Sequence, residues 1–169
     1  MTALLSRPRR DRTPRLARAG LVQPVAAVLT DRIDDLAVAE AAARLALARR
    51  VPVLLIAVMP PDIRRQGDGP FPAPVRAVLA RVMPKIGPNI TGHIPEVFHL
   101  PAGPCSRLAA AGELLTLAAR HRAPDVVAAR SGPEGLDAFT LIEAAALRGG
   151  QFVHTIAPAA WTPLRSPSP

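Results

Sequence analysis

The chain has 169 residues, of which 49% are hydrophobic and 20% are charged, and its net charge is +8. The length suits one core of ordinary size, and the composition excludes a wholly disordered chain. The single cysteine excludes an internal disulfide framework and a multi-cysteine zinc site, and no apolar run reaches the ~18 residues that a membrane-spanning helix needs. We therefore expect a soluble protein of a reducing, cytoplasmic compartment.

The positive charge is concentrated at one end of the chain. Six arginines and Asp11 give residues 1–20 a net charge of +5, which leaves +3 for all the others. We predict that residues 1–20 form a disordered arm. A solvated arm explains this charge better than nucleic-acid association does, because no aromatic residue is interleaved to stack on bases, and nucleic-acid binding is kept as the weaker alternative. Four prolines predict a second disordered tail over 158–169.

The segment that remains between the two tails is 21–157. Its first half has the patterns of two strands and two helices. An apolar run over 24–29 predicts a strand, and apolar residues spaced by three and four from Leu36 to Leu47 predict a helix. The run 52–59 is apolar at every position, as in a central parallel strand covered on both faces. A second apolar stripe predicts a helix from about Pro74 that stops at Pro84.

The second half predicts three more strands and two more helices. Strands are expected over 96–100, 125–130 and 151–156, each followed or preceded by turn-forming residues. A third helix is expected after Ser106, whose hydroxyl could cap it, and a short fourth helix is expected over about 137–148. The strict alternation predicts an α/β fold, a three-layer sandwich around a five-stranded, mainly parallel sheet.

In such sheets, ligands bind at the carboxyl ends of the strands, where the strand order reverses. The residues to inspect are therefore Asp31, Met59, 100–103 and 130–135. Asp31 belongs to an acidic cluster with Asp34 and Asp35. Helix capping explains this cluster better than a magnesium site does, because such a site needs phosphate oxygens or a spaced oxygen cage.

Other reactive side chains do not form a catalytic pattern in the sequence. The four histidines lack the spacing of a metal pair on one helix, so no metal site is expected. Cys105 has no resolving cysteine and is interpreted as inert. No Gly-x-Ser-x-Gly motif or other nucleophile, base and acid set can be named, so an enzyme is not expected.

The order of these features resembles the universal stress protein family over about 22–157. The pieces that match are VAAVLTD ending at Asp31, RRVPVLLIAV, a Gly-Pro before the third helix, and APDVVAARSGPEGL. The resemblance implies a single adenine-nucleotide α-hydrolase-like domain with strand order 3-2-1-4-5.

Nucleotide-binding members of that family carry a loop of the form Gly, two residues, Gly, nine residues, then Gly followed by Ser or Thr. Glycines let main-chain N–H groups approach phosphates closely. Gly132 and Gly135 match the first half, but Ala145 occupies the third glycine position, and a shorter alignment places Phe139 and Thr140 there. The motif is thus incomplete in its phosphate half. The adenosine half is better kept, since Asp31 could accept from adenine or ribose and Val58 lies on the strand that contacts adenine.

The resemblance therefore implies a bacterial, non-enzymatic stress-response or regulatory protein. We expect it to act as a homodimer paired through its last strand, with an unknown protein partner, no membrane association and no cofactor. The alternative is an ATP-binding switch or slow ATP hydrolase that uses Asp31, Val58, Gly132, Gly135 and Thr140.

Overall fold

The computed structural model describes residues 22–61, 71–87, 91–103, 106–133 and 135–157. The predicted arm over 1–20, the predicted tail over 158–169 and Cys105 lie outside these ranges, so the predictions made for them stay predictions. None of the described helices is both long enough and apolar enough to cross a membrane.

Strands and helices alternate without exception along the described ranges. In chain order they are β1 (Val25–Leu29), α1 (Asp35–Arg49), β2 (Val53–Met59), α2 (Ala73–Ile86), β3 (His93–His99), α3 (Ala109–Arg120), β4 (Asp125–Ala129), α4 (Ala138–Arg148) and β5 (Phe152–Ile156). This is the predicted succession of elements.

The five strands form one sheet in the order β3-β2-β1-β4-β5, and every neighbouring pair is parallel. β1 lies in the centre, where Val25 is in register with Val53 of β2 on one side and with Asp125 of β4 on the other. The three inner strands are buried at every position, whereas β3 and β5 are partly exposed edges. The predicted fold class and strand order are confirmed.

Two hydrophobic cores lie on opposite faces of the sheet. Alternate residues of β1 point to opposite faces, so Val25, Ala27 and Leu29 pack with α1 and α2, whereas Ala26 and Val28 pack with α3 and α4. Burial on both faces explains why β1 and β2 are apolar at every position and why β4 is apolar at every position after Asp125. The three-layer sandwich follows from this arrangement.

Two predicted boundaries are wrong. Pro84 does not stop α2, because it lies in the last turn, where the missing N–H removes only one bond close to the helix end. β3 begins at His93 rather than at residue 96 and contains Pro95. An edge strand tolerates proline because one side of its main chain pairs with nothing in the sheet.

The predicted caps of α1 and α3 are also wrong. Asp34 occupies the N-cap position of α1 but makes no side-chain capping bond. The N-cap residue of α3 is Leu108, and Ser106 contributes its carbonyl oxygen, which accepts from the Ala109 N–H at 2.9 Å. Of the four described helices, only α4 has a side-chain cap at its N-terminus, in which Asp137 accepts from the Thr140 N–H.

Candidate functional site

The candidate site lies at the carboxyl end of the sheet, between β1 and β4. The chain leaves β1 for helices on one face and leaves β4 for a helix on the other face, so the two strand ends diverge there. Asp31 follows β1, and Gly132 and Gly135 follow β4. The fold therefore brings the two predicted halves of the site to the same end of the sheet.

Asp31 is held in an unusual backbone conformation directly after β1. Its φ of +59° lies in the left-handed region, which few residues other than glycine adopt and which aspartate tolerates better than most. The side chain is 62% exposed, and its Oδ1 accepts from Nη1 of Arg81 at 2.9 Å. The carboxylate predicted to contact a nucleotide is thus paired with an arginine of α2.

Asp35 is the buried carboxylate of this end of the sheet, although the sequence suggested only that it helps to cap α1. Its side chain is fully buried, and it accepts from the N–H groups of Thr30 at 2.8 Å and Arg32 at 3.2 Å. Nη2 of Arg81 donates to it at 3.0 Å. Burial raises the pKa of Asp35, against the lowering effect of these bonds and of the Arg81 charge. Asp35 and Arg81 together fix the loop that carries Asp31.

Thr30, the last residue before Asp31, carries the clearest sign of an unfilled interaction. Its Oγ1 atom is buried and has no hydrogen-bond partner among the described residues. Buried hydroxyl groups nearly always have a partner, from the protein, a ligand or ordered water. The described residues therefore leave this hydroxyl, at the end of β1, without the partner that such a group usually has.

Val58 lies on β2 and offers its main chain rather than its side chain. The side chain is 5% exposed and packs in the core beneath α3 and α4. The pairing of β2 with β1 ends at Ala57, so Val58 is in register only with Phe98 of β3. In a parallel ladder that ends at the pair of Leu29 and Ala57, the Val58 N–H donates to β1, and the Val58 carbonyl oxygen is the main-chain group that β1 leaves unused.

The structure of the loop after β4 explains why both of its matching positions, Gly132 and Gly135, are glycine. A Cβ atom on Gly132 would lie 2.5 Å from the carbonyl oxygen of Leu136, a distance that real Cβ atoms do not show. Gly135 has a φ of +80°, and a Cβ there would lie 3.3 Å from the Arg107 carbonyl oxygen. Closure of this loop therefore requires glycine at both positions, whether or not a phosphate binds.

The hydroxyl of Thr140 is engaged within α4. It donates to Oδ2 of Asp137 at 2.6 Å, while the Thr140 N–H donates to Oδ1 at 3.1 Å. The hydroxyl bond is the largest cause that lowers the pKa of Asp137. Thr140 is also buried, so its hydroxyl is used in the N-terminal cap of α4 and is not available to a ligand.

The positions that should supply the rest of a phosphate loop carry larger groups. Phe139 is 66% exposed, and the Arg130 guanidinium lies 6.0 Å from the centre of its ring. Ala145 lies in the middle of α4 and is buried in the core. Neither alignment of the motif thus places a glycine beside Gly132 and Gly135.

The opposite, amino end of the sheet holds a second buried carboxylate that the sequence did not single out. Asp125 begins β4, and its side chain is only 5% exposed. It bonds to the guanidinium of Arg49, at the end of α1, and to Nε2 of His154 on β5 at 2.8 Å. Burial would raise the pKa of Asp125, but the bonds to Arg49 and His154 and their charges outweigh it and lower that pKa.

The described residues contain no group of three or more His, Cys, Asp or Glu side chains that could hold a metal ion. His121 instead bonds to Glu96 at 2.9 Å, and Nδ1 of His99 lies 3.5 Å from the Pro60 carbonyl oxygen.

Comparison with known proteins gives similarity of structure but not of sequence. No family model and no curated protein sequence matches the chain. A universal stress protein family structure from Burkholderia pseudomallei has a TM-score of 0.50 and 14% identity, over 79% of this chain and 95% of that one. A universal stress protein described in complex with cAMP has a TM-score of 0.56 and 17% identity, over 82% and 98%.

A third structure, a universal stress protein from Archaeoglobus fulgidus, has a TM-score of 0.52 and 18% identity, over 83% of this chain and 98% of that one. The likeness spans nearly the whole of each relative. At these identities it concerns the fold. The resemblance drawn from the sequence is confirmed at that level: this chain has the fold of the universal stress proteins.

Proposed function

We propose that this chain is a universal-stress-type regulatory protein of the cytoplasm that acts through protein contacts rather than through chemistry. The polar groups at the carboxyl end of the sheet support this, because they are largely engaged with one another. Asp31 and Asp35 share Arg81, and Thr140 is bonded to Asp137. A catalytic group would have to leave such a partner before it could act.

The working form that we propose is a homodimer paired through β5. Edge strands expose unpaired main-chain groups, and proteins protect them with proline or charge when they are not meant to pair. β3 has such protection in Pro95 and Glu96. β5, with the sequence FVHTI, has neither, and its Phe152 is 71% exposed. This unprotected edge is the observation that carries the proposal.

The exposed face of α4 supports the same interface. Three large apolar side chains of this helix are exposed, and α4 packs beside β5. They are Phe139 (66%), Ile142 (42%) and Leu147 (74%). Exposed apolar side chains on a helix beside a free edge would add apolar area to a protein contact made there.

Light scattering after size-exclusion chromatography tests the dimer at micromolar concentration. We expect the native chain to have twice the monomer mass of 17.8 kDa and Phe152→Lys to have the mass of a monomer, because a charge on the paired edge opposes association. Ile33→Lys is the control: Ile33 is 84% exposed but lies in the loop between β1 and α1, outside β5 and α4, so this variant should remain a dimer. A native chain that elutes only as monomer would remove the proposal.

A second candidate function is adenine nucleotide binding, favoured by the Oγ1 of Thr30, which has no partner among the described residues, and by the Val58 carbonyl oxygen, which the pairing with β1 leaves unused. In this proposal, Asp31 and Val58 contact the adenosine moiety, and the loop of Gly132 and Gly135 contributes little to a phosphate chain. A nucleotide with few phosphates would fit better than ATP, and one structural relative is described in complex with cAMP.

Thermal unfolding with millimolar ATP and Mg²⁺, with cAMP, and with adenosine tests this second candidate. A ligand at a hundred times its Kd stabilises a fold by ~2.7 kcal/mol. We expect a shift with adenosine or cAMP at least as large as with ATP, and its loss in Asp31→Ala. If none of the three ligands raised the unfolding temperature, nucleotide binding would be excluded. A rise with ATP alone would mean that the loop of Gly132 and Gly135 does bind phosphates, and it would favour the ATP-binding switch instead.

A further inference from the structure

The first half of α4 carries two exposed apolar side chains. Phe139 is 66% exposed, and Ile142, which lies about one turn later on the same side of the helix, is 42% exposed. We call these two residues the Phe139 patch. Packing an apolar group on this patch would remove part of both side chains from water, which is favourable in proportion to the area that becomes buried. The patch is therefore a surface that can hold an apolar group.

The chain leaves β5 beside this patch. The Ile156 carbonyl oxygen accepts from the Arg130 N–H at 2.8 Å, and the Arg130 carbonyl oxygen accepts from the Ala138 N–H at 3.4 Å. Ala138 is the residue before Phe139, so two main-chain hydrogen bonds connect the last residue of β5 with the first turn of α4. The chain beyond β5 therefore begins at the carboxyl end of the sheet, next to the Phe139 patch.

The chain beyond β5 contains the only tryptophan of the protein. Trp161 lies five residues after Ile156, and five extended residues span up to about 17 Å, which is enough to reach the first turn of α4. An indole side chain can bury about 150–250 Å², more than most side chains. Trp161 lies between Pro158 and Pro163, and the prolines restrict the main chain, so less conformational entropy is lost when the segment is held.

We propose that the segment 158–169 docks on α4 of the same chain, with Trp161 packed against the Phe139 patch. Because the segment is joined to β5 beside the patch, its effective concentration there exceeds that of a second copy in dilute solution. Docking of one side chain requires no helix or strand, so the proline-rich sequence does not oppose it. Leu147 and Phe152 lie at the other end of the sheet, so this contact does not rest on the proposed dimer.

Tryptophan fluorescence of the full-length protein tests this contact, because Trp161 is the only tryptophan and the chain has no tyrosine. We expect the native chain to emit at a shorter wavelength than the chain unfolded in urea, since apolar contact keeps water from the indole ring. Acrylamide should quench the native emission with a smaller constant than it does in the unfolded chain. A native chain that matches the unfolded chain in either respect would overturn the proposal.

Phe139→Ala removes the ring from the patch, and we expect it to move the emission and the quenching constant towards the values of the unfolded chain. Leu47→Ala is the matched control, because Leu47 is 50% exposed on α1, which packs on the opposite face of the sheet, and both values should stay native. Circular dichroism shows that each variant keeps its helices. If Phe139→Ala left the native values unchanged, or Leu47→Ala altered them equally, Trp161 would contact another surface and the proposal would be overturned.

Phe152→Lys separates this contact from the proposed dimer. Trp161 should keep its native emission in this variant, and also when the native protein is diluted, because the patch belongs to the same chain. Loss of the native emission in either experiment would mean that Trp161 packs on a second copy, and it would overturn the proposal. An unchanged emission would support the contact within one chain, whether or not light scattering finds a dimer.

Discussion

The two ends of the sheet each bury one aspartate beside an arginine, yet the pKa values of the two carboxyl groups are shifted in opposite directions. Asp35, at the carboxyl end, receives two main-chain N–H groups and one guanidinium, and its pKa is raised. Asp125, at the amino end, is bonded to two side chains that can carry positive charge, and its pKa is lowered. Burial opposes ionisation at both ends, so the partners decide the direction.

The two aspartates also fix different parts of the molecule, a loop in one case and an edge strand in the other. Asp35 fixes the loop between β1 and α1, including the strained Asp31. Asp125 links the end of α1, through Arg49, to His154 of the edge strand β5. One carboxylate thus organises the candidate site, and the other anchors the edge that we propose for the dimer. Breaking each in turn tests this division.

The largest expected effect is that of Asp35→Ala. The substitution removes the acceptor for the Thr30 and Arg32 N–H groups and leaves Arg81 without its buried partner, so we expect a loss of about 3 kcal/mol in the free energy of unfolding by urea. Asp34→Ala is the control, because Asp34 makes no capping bond, and it should cost less than about 0.5 kcal/mol. Equal losses in the two variants would mean that Asp35 does not hold the loop.

The next largest effect is expected when each buried aspartate loses its charge but keeps its size. Asp125→Asn should cost about 2 kcal/mol at pH 7, because it loses at least one charge-assisted bond to Arg49 or His154. Asp35→Asn should cost about 1 kcal/mol, because it also relieves the burial of a charge. Urea unfolding of both variants at one pH measures the difference. A larger cost for Asp35→Asn would show that Arg81 outweighs burial at the carboxyl end.

A smaller effect is expected from the arginines. Arg81→Met should cost about 1 kcal/mol, since Arg81 is partly exposed and only one of its partners is buried. In the background of Asp35→Asn, the same substitution should cost less than about 0.5 kcal/mol, because the buried charge that Arg81 faces is then gone. A cost that is the same in both backgrounds would mean that Arg81 acts through Asp31 or through packing.

The smallest effect is a pH dependence of opposite sign at the two ends. The lowered pKa of Asp125 contributes stability that is present above the unfolded value of 3.8 and is lost as the pH falls through the folded pKa. The raised pKa of Asp35 contributes stability that is full below 3.8 and is lost as the pH rises through the folded pKa.

Unfolding of the native chain and the two Asn variants between pH 3 and pH 7 measures this. The cost of Asp125→Asn should shrink towards the acid end, and the cost of Asp35→Asn should shrink towards neutral pH. Parallel curves for the two variants would contradict the contrast between the ends of the sheet.

The sheet itself was largely predictable from the sequence. The inner strands are buried on both faces, so their unbroken apolar runs could be placed to within a residue, and the strict alternation determined the layers. The start of β3 was not predictable in this way, because an edge strand carries exposed residues such as His93 and accepts Pro95. Local rules for proline likewise failed at Pro84, where only the position within the last turn matters.

The candidate site was predictable in its location but not in its contacts. The end of β1 and the loop after β4 follow from the position of the strand-order reversal. The partnership of Asp35 with Arg81 spans 46 residues, and no local pattern announces it. The roles of Gly132 and Thr140 were also hidden, because a close approach to Leu136 and a cap within α4 appear only once the loop is folded.

The central position of β1 has a consequence for how the chain can fold. Its partner β2 follows within about 30 residues, but its other partner, β4, is separated from it by about 100, since Val25 is in register with Asp125. During synthesis, the edge of β1 that pairs with β4 therefore stays unpaired until most of the domain has been made. Contacts this distant in sequence make folding slow, and an uncovered strand is prone to aggregate. We therefore expect the pairing of β1 with β4 to be a late step of folding.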